Sequence, residues 1–316
     1  MRIYYASDLH GSRKCWLKFL ATPKYYGADV IIVGGDITGK FIVPIIRMSD
    51  GRVEATFMGR KRKLKGEHEV ERLKEYVANA GQYAVEMAPD EHERYTQDPS
   101  LLDELFRRLL YKRVEEWVEL ADERLKGQHV RCFVSAGNDD FFEVDEALAK
   151  SVTVEVHDGR LAELGDGFEV FGLGYSNITP WKCPRDITEE ELRVRINELA
   201  GRIRRMDRAI FDIHVPPYGT GIDEAPQLTE DMRMVLDGTG APIKVPVGST
   251  AVREAILEYQ PMLGLHGHIH ESSGIRQLGR TTLINPGSEY AEGILRGALI
   301  ELDAREGLIS ANLVTG

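Results

Sequence analysis

The residues of this chain best suited to chemistry are carboxylates, amides and imidazoles that follow short apolar runs. Asp8 and His10 follow Arg2 to Ala6; Asp36 follows Asp29 to Val33 and a Gly-Gly pair; Asn138 and Asp139 follow Val130 to Val134 and Gly137. His214 follows Ala209 to Ile213, and His268 and His270 follow the run from Met262 to Leu265. Imidazole, carboxylate and amide oxygen together suit Mn, Fe, Zn or Co and do not choose among them. In Asp8-Leu9-His10 and His268-Ile269-His270 the paired donors stand two apart, so both approach one point from a loop.

The elements that must position these donors are legible around them. Each preceding run has the length and apolar character of a buried strand, and most are followed by a Gly that makes room for a turn. In α/β sheets, ligands bind outside the carboxyl ends of the strands, so the donors are expected at one common edge. Ser12 to Ala21 reads as a helix capped by Ser12. Strand, loop, helix and strand then make a βαβ start with a parallel pair and a right-handed crossover.

The order Asp-x-His, Gly-Asp, Gly-Asn, His, Gly-His-x-His, from Asp8 to His270, resembles the calcineurin-like metallophosphoesterase family. The resemblance implies an α/β fold, an αββα four-layer sandwich of two mixed β-sheets flanked by helices. It also implies a dinuclear site in which Asp36 bridges two divalent transition-metal ions. Asp8, His10 and His270 would complete the first ion, and Asn138, His214 and His268 the second. Two ions roughly 3.5 to 4 Å apart lower the pKa of a bridging water and clamp phosphoryl oxygens, which is the chemistry of phosphate ester hydrolysis. Mn is the expected ion in vitro, with Fe, Zn and Co also suited.

The chain departs from the family pattern at two places. Asp139 stands where many members have a histidine that protonates the leaving oxygen, and it is the candidate catalytic residue by position. An aspartate near two cations is expected to be ionised and is then a poor general acid. The second carboxylate of Gly-Asp-x-x-Asp is also missing, since Thr38 and Gly39 occupy that region. These departures favour phosphodiesters and small nucleotide-like substrates with good leaving groups over alkyl monoesters. Members lacking the histidine include phosphodiesterases and a non-enzymatic scaffold subunit, so a metal-binding interaction scaffold is the alternative from another class. A nuclease is the second enzymatic alternative.

Composition narrows the field. The 316 residues suffice for one α/β domain with an elaboration. A net charge of -11 disfavours a general nucleic-acid binder. Three dispersed cysteines, Cys15, Cys132 and Cys183, suggest neither a disulfide framework nor a zinc ribbon, and fit a reducing cytoplasm. Neither a signal peptide nor a membrane span is evident, and a cytoplasmic protein without membrane attachment is expected.

The domain expectation is a single metallophosphoesterase domain over 1–316 with a β-hairpin and helical insertion at 40–128. From Asp36 to Asn138 the chain is far longer than the dozen or so residues a crossover needs. Phe41 to Met58 reads as a hairpin around Ser49, Asp50 and Gly51. A basic cluster, Arg60 to Lys65, follows and reads as a solvated loop or as an electrostatic lure for an anionic substrate. Helices are expected at about 67–85 and 101–126, the second capped by Ser100, its apolar stripe serving packing. The insertion is expected to act as a lid or as a homo-oligomer contact.

Beyond Asn138, strands are expected at 152–156, 168–173, 281–284 and 296–302. A capping box of Thr188 and Glu191 opens a helix to about Met206, and Ser249 caps another ending near Tyr259. Tyr218, in the stiff loop after His214, is the one named candidate for substrate contact, by stacking or by bonding a phosphate oxygen. His266 reads as support for its neighbours, and His68, His92, His129 and His157 as structural or exposed. The turn Asn285-Pro286-Gly287-Ser288 reads as structural service at least as much as substrate contact.

Overall fold

Alternation along the first strand dictates the layering. In Arg2–Ala6, Ile3 and Tyr5 face one way and Tyr4 and Ala6 the other, and all four are fully buried, so both faces of this strand must be covered. The computed structural model, which describes residues 1–316, shows how. One six-stranded sheet runs, in spatial order, Gly307–Thr315, Arg296–Asp303, Arg2–Ala6, Val30–Gly34, Arg131–Ser135 and Val154–Val156. The other runs Gly274–Leu278, Thr281–Asn285, Leu263–Leu265, Ala209–Ile213, Phe168–Leu173 and Leu161–Gly165. In the first, four parallel strands run from Arg2–Ala6 to the edge at Val154–Val156 and the two C-terminal strands add antiparallel on the other side; in the second, four parallel strands are flanked by an antiparallel strand at each edge.

Three cores correspond to the three interfaces of a four-layer sandwich. Ile3, Tyr5, Ile32 and Phe133 of one sheet pack with Val170, Ile210, Leu265 and Ile284 of the other. On the outer face of the first sheet, Tyr4, Ile31 and Val134 meet Trp16, Val114 and Trp117 from helices Arg13–Phe19 and Pro99–Leu125. On the outer face of the second, Phe171, Phe211 and Ile213 meet Ile196 and Val252 from helices Glu189–Ala200 and Thr250–Tyr259. The expected αββα sandwich is therefore the architecture observed. None of its helices is long and apolar enough to cross a membrane.

Residues 40–128 carry a third, four-stranded sheet. The hairpin expected around Asp50-Gly51 is present as Ile42–Arg47 and Val53–Phe57. Two expectations fail beside it. The basic cluster is a strand, Arg60–Leu64, at the edge of this sheet rather than a loop. Lys61 pairs with Glu54 at 2.7 Å, and a charged edge of this kind resists pairing with another chain. The helix expected at 67–85 stops at Asn79, and Tyr83–Met87 is a strand parallel to Ile42–Arg47. Gly81 forces the break: its φ is +80°, and a Cβ there would stand 2.1 Å from the carbonyl oxygen of His10.

Smaller differences have equally local causes. An unanticipated helix, Pro89–Gln97, precedes Pro99–Leu125. The cap of the latter is Asp98, not Ser100: Pro99 takes the first helical position, and the Asp98 carboxylate accepts from Ser100 N at 3.0 Å. Val152 is exposed and the strand begins only at Val154. The Thr188–Glu191 capping box forms as expected, but its helix ends at Ala200, short of Met206. Ser249 caps Thr250–Tyr259 as expected.

Candidate metal centre

The five central strands that carry the motifs, Arg2–Ala6, Val30–Gly34, Arg131–Ser135, Ala209–Ile213 and Leu263–Leu265, end at one edge of the two sheets. Asp8, His10, Asp36, Asn138 and His214 are buried there, and the ligand atoms of Asp8, His10 and His270 lie within 4.8 Å of one another. Those of Asp36, His214 and His268 form a second such group. His10 Nε2 and His270 Nε2 converge to 3.0 Å, and His270 Nε2 is 3.3 Å from Asp8 Oδ1. Asp36 faces both groups: Oδ2 lies 3.5 Å from His10 Nε2, while Oδ1 lies 3.4 Å from His214 Nε2. Asn138 Oδ1 joins the second group, 3.0 Å from His268 Nδ1.

Three of the donors are aimed by a second contact. His10 Nδ1 faces Thr38 O at 3.3 Å and His214 Nδ1 faces Gly34 O at 2.9 Å, leaving both Nε2 atoms toward the centre. Asn138 Nδ2 donates to Asp186 Oδ1 at 2.8 Å, which turns the amide oxygen inward. Asp140 ties two donor loops together. Its carboxylate accepts from Ile37 N at 2.9 Å, Thr38 N at 2.8 Å and Gly137 N at 2.8 Å. Gly137 is obligatory for close approach, since a Cβ there would fall 2.2 Å from Asp36 Oδ1.

The backbone is strained where the donors sit. Asp8, His10, Asp36 and His268 have φ of 58°, 40°, 49° and 65°, a region non-glycine residues seldom occupy and one that persists only when surroundings enforce it. The enforcement is visible at Asn285. Its side-chain nitrogen donates to Gly267 O at 3.2 Å and Ile269 O at 3.0 Å, holding the His268 loop on both sides. Ser288 Oγ adds a bond to Asp8 O at 2.6 Å. The Asn285-Pro286-Gly287-Ser288 turn thus braces the donor loops.

The donor set fits divalent cations. His214 Nε2 is buried without a hydrogen-bond partner, facing the Asp36 carboxylate, and an unpaired polar atom in such a place calls for one. Burial alone would lower the His214 pKa, but the charges of Asp36 and Asp8 raise it to about 10. Burial holds His268 neutral, with its pKa down to about 4, as a ligand imidazole must be. Burial opposes ionisation of Asp8, yet the adjacent His270 and His214 keep its carboxyl below the ordinary range.

Asp139 is outside those two groups but forms a third with His10 and Asp36, their ligand atoms also within 4.8 Å of one another. Its backbone N–H donates to Asp36 Oδ1 at 3.0 Å, and its carboxylate meets Lys40 Nζ at 2.9 Å and His10 Nδ1 at 3.9 Å. Burial and the Asp36 charge push its carboxyl above the ordinary range despite the opposing pull of Lys40, where cations alone are expected to lower it. Lys40 is a residue the motifs do not identify. Tyr290 is another, its ring centroid 4.7 Å from that of His10 and 5.8 Å from that of His270. Tyr218 is exposed, and its main chain is fastened to Ser249 O and Arg253. His266 is buried, its Nδ1 bonded to Ile213 O at 2.7 Å, in keeping with a supporting role. His157 is structural as well, 2.6 Å from buried Asp212.

Comparison with known proteins supports the fold. The uncharacterized protein MJ1162 of Methanocaldococcus jannaschii is 28% identical over 176 residues, which are 55% of this chain and 68% of that protein. The crystal structure of TT1561 of Thermus thermophilus superposes with a TM-score of 0.54 at 16% identity, covering 100% of this chain and 97% of that one. A further crystal structure superposes with a TM-score of 0.57 at 16% identity, covering 99% and 98%. No family model matches the sequence.

Proposed function

We propose that this chain, which in motif order and in the grouping of its donors resembles the calcineurin-like metallophosphoesterases, is a two-metal phosphoric ester hydrolase acting on phosphodiesters, small nucleotide-like ones before polymers. The observation that carries the reading is the placement of Asp36, whose two oxygens face two different donor groups. In this reading Asp36 bridges, Asp8, His10 and His270 hold one ion, and Asn138, His214 and His268 hold the other. Such ions, when bound, supply an acidified water and neutralise charge on phosphoryl oxygens.

The residues of the chain set the rest. Thr38 O, Gly34 O and Asp186 fix the orientation of three of the donors. Lys40 brings a positive charge to the rim, where charge develops on a leaving oxygen, and Asp139 holds it in place. The ion pair with Lys40 favours the ionised form of Asp139, a poor proton donor, which favours good leaving groups and supports diesters and nucleotides over alkyl monoesters. We further propose that 1–316 is one metallophosphoesterase domain and that 40–128 is inserted into it.

The test is hydrolysis of bis-p-nitrophenyl phosphate and p-nitrophenyl phosphate by metal-stripped protein reloaded with Mn²⁺, beside Asp36→Asn. Diester turnover that requires metal and disappears in the variant is the expected result. About two bound ions without turnover of any ester would instead favour a metal-binding interaction module. Absence of metal binding would overturn the site.

A further inference from the structure

Beside the metal centre, residues of the 40–128 segment line an open cleft of about 620 Å³, within the size range of small-molecule sites. Its walls include Lys40 and Phe41, just before the strand Ile42–Arg47, with Met87, Tyr95, Leu102 and Phe106 from the three consecutive elements Tyr83–Met87, Pro89–Gln97 and Pro99–Leu125. Phe106 is held edge-on by Tyr83 at 5.7 Å and Phe141 at 6.2 Å between ring centroids. Phe41 and Leu102 remain 61% and 40% exposed, large apolar side chains uncovered next to a charged centre. Such side chains are left accessible at a cost, and a concave apolar site with few polar groups is the usual form of a binding pocket.

Lys40 joins the two regions. It lines the cavity, its Nζ is 2.9 Å from Asp139 Oδ2, and the Asp139 N–H is 3.0 Å from Asp36 Oδ1. Two contacts thus lead from the apolar wall to the carboxylate at the middle of the donor groups. A molecule lying across this junction would present an anion at one end and a flat apolar body at the other.

We propose that this cavity receives an aromatic group esterified to the phosphate, a nucleobase-bearing or simple aryl group, with Lys40 at the junction between that group and the phosphate. The inference rests on the phosphoesterase reading and names the part of the substrate that the 40–128 segment selects. Aromatic walls contribute through stacking and desolvation, and an apolar contact of this kind changes selectivity by roughly tenfold or more.

Three diesters with a common p-nitrophenolate leaving group test it: methyl p-nitrophenyl phosphate, bis-p-nitrophenyl phosphate and thymidine 5′-(p-nitrophenyl phosphate). In the Mn²⁺-loaded protein, kcat/KM for an aromatic second group should exceed that for methyl by about tenfold, chiefly through KM. Leu102→Trp, which fills the cavity, and Phe41→Ala, which removes one wall, should each cut that ratio by about tenfold. The ranking of thymidine against aryl identifies the preferred source of the aromatic group. Equal kcat/KM for all three esters, or an unchanged ratio in Leu102→Trp, would overturn the proposal.

A second measurement does not depend on turnover. Saturation-transfer NMR with thymidine and the Asp36→Asn protein should show transfer to the base protons, lost on adding Leu102→Trp. Transfer without hydrolysis of any ester by the wild-type protein would reject the phosphoesterase reading and leave the aromatic pocket standing. Hydrolysis without transfer would do the reverse.

Discussion

Lys40 Nζ lies 2.9 Å from Asp139 Oδ2, so the position to which the metallophosphoesterase resemblance assigns a proton-donating histidine holds one half of an ion pair. Removing the pair and restoring a proton donor should therefore change the leaving-group dependence. Asp139→His is expected to raise the rate on alkyl monoesters relative to p-nitrophenyl phosphate by about tenfold or more, the lower range of general acid catalysis. An unchanged ratio, with metal content intact, would show that protonation of the leaving oxygen is not what the site lacks.

The facing of Asp36 toward both His10 and His214 predicts a loss of stoichiometry rather than a mild weakening. Elemental analysis should find about two ions in the wild type and about one or fewer in Asp36→Asn, and activity should fall by about a thousandfold or more. Two ions retained in the variant would remove Asp36 from the bridging role.

The pH dependence follows from His214. With its pKa raised to about 10 in the metal-free protein, this imidazole is protonated at neutral pH and must release its proton before it ligates. Protons therefore compete with the ion below that pKa. Metal affinity should rise with pH, by about tenfold per unit for each proton displaced. Calorimetry in buffers of different ionisation enthalpy reads the released proton directly; affinity independent of pH between about 6 and 9 would contradict the assignment.

Asp186 should contribute to metal affinity without belonging to either donor group. It accepts from Asn138 Nδ2 at 2.8 Å, and Asp186→Ala frees the amide to turn its nitrogen inward. Loss of such an orienting partner typically weakens metal binding by about 10- to 100-fold. Because Asp186 also accepts from Thr179 N and Cys183 N, circular dichroism and thermal melting of the variant distinguish a local effect from unfolding.

Asp140 should matter for stability more than for the reaction. It is fully buried and accepts from three main-chain N–H groups on two loops, so Asp140→Ala strands donors that water cannot reach. A loss of about 2–4 kcal/mol in urea unfolding of the metal-free protein is expected. A change under about 0.5 kcal/mol, the size of an ordinary surface substitution, would mean that these bonds are remade elsewhere.

What the sequence made legible were features whose cause is local. A short β-branched run, a glycine and a donor are contiguous in the chain, so the donor loops were found where expected, and so were the Thr188 capping box and the Asp50-Gly51 turn. Features assembled across the fold were not. Lys40 and Tyr290 belong to no motif, and only the path of the chain carries one to Asp139 and the other to His10. The strand Tyr83–Met87 was hidden within an expected helix, although Gly81 marks the break and the partner strand, Ile42–Arg47, lies well before it in the chain. The edge strand Arg60–Leu64 was hidden by its charge, which masks the apolar alternation that identifies strands.

The first two donor loops continue the pairing of their strands past the end of the sheet. Asp8 N donates to Gly35 O at 3.0 Å, His10 N to Asp36 O at 2.9 Å and Gly11 N to Ile37 O at 2.7 Å. The two loops are thereby zipped together, and a shift in one is transmitted to the other. Substitutions at Leu9 and at Ile37, neither of which is a donor, are then not independent events. Their combined effect should depart from the sum of the separate ones, as expected for residues in one bonded unit. A change tolerated in one loop thus depends on the residue present in the other, and the pair is the smallest unit that can be altered without loss.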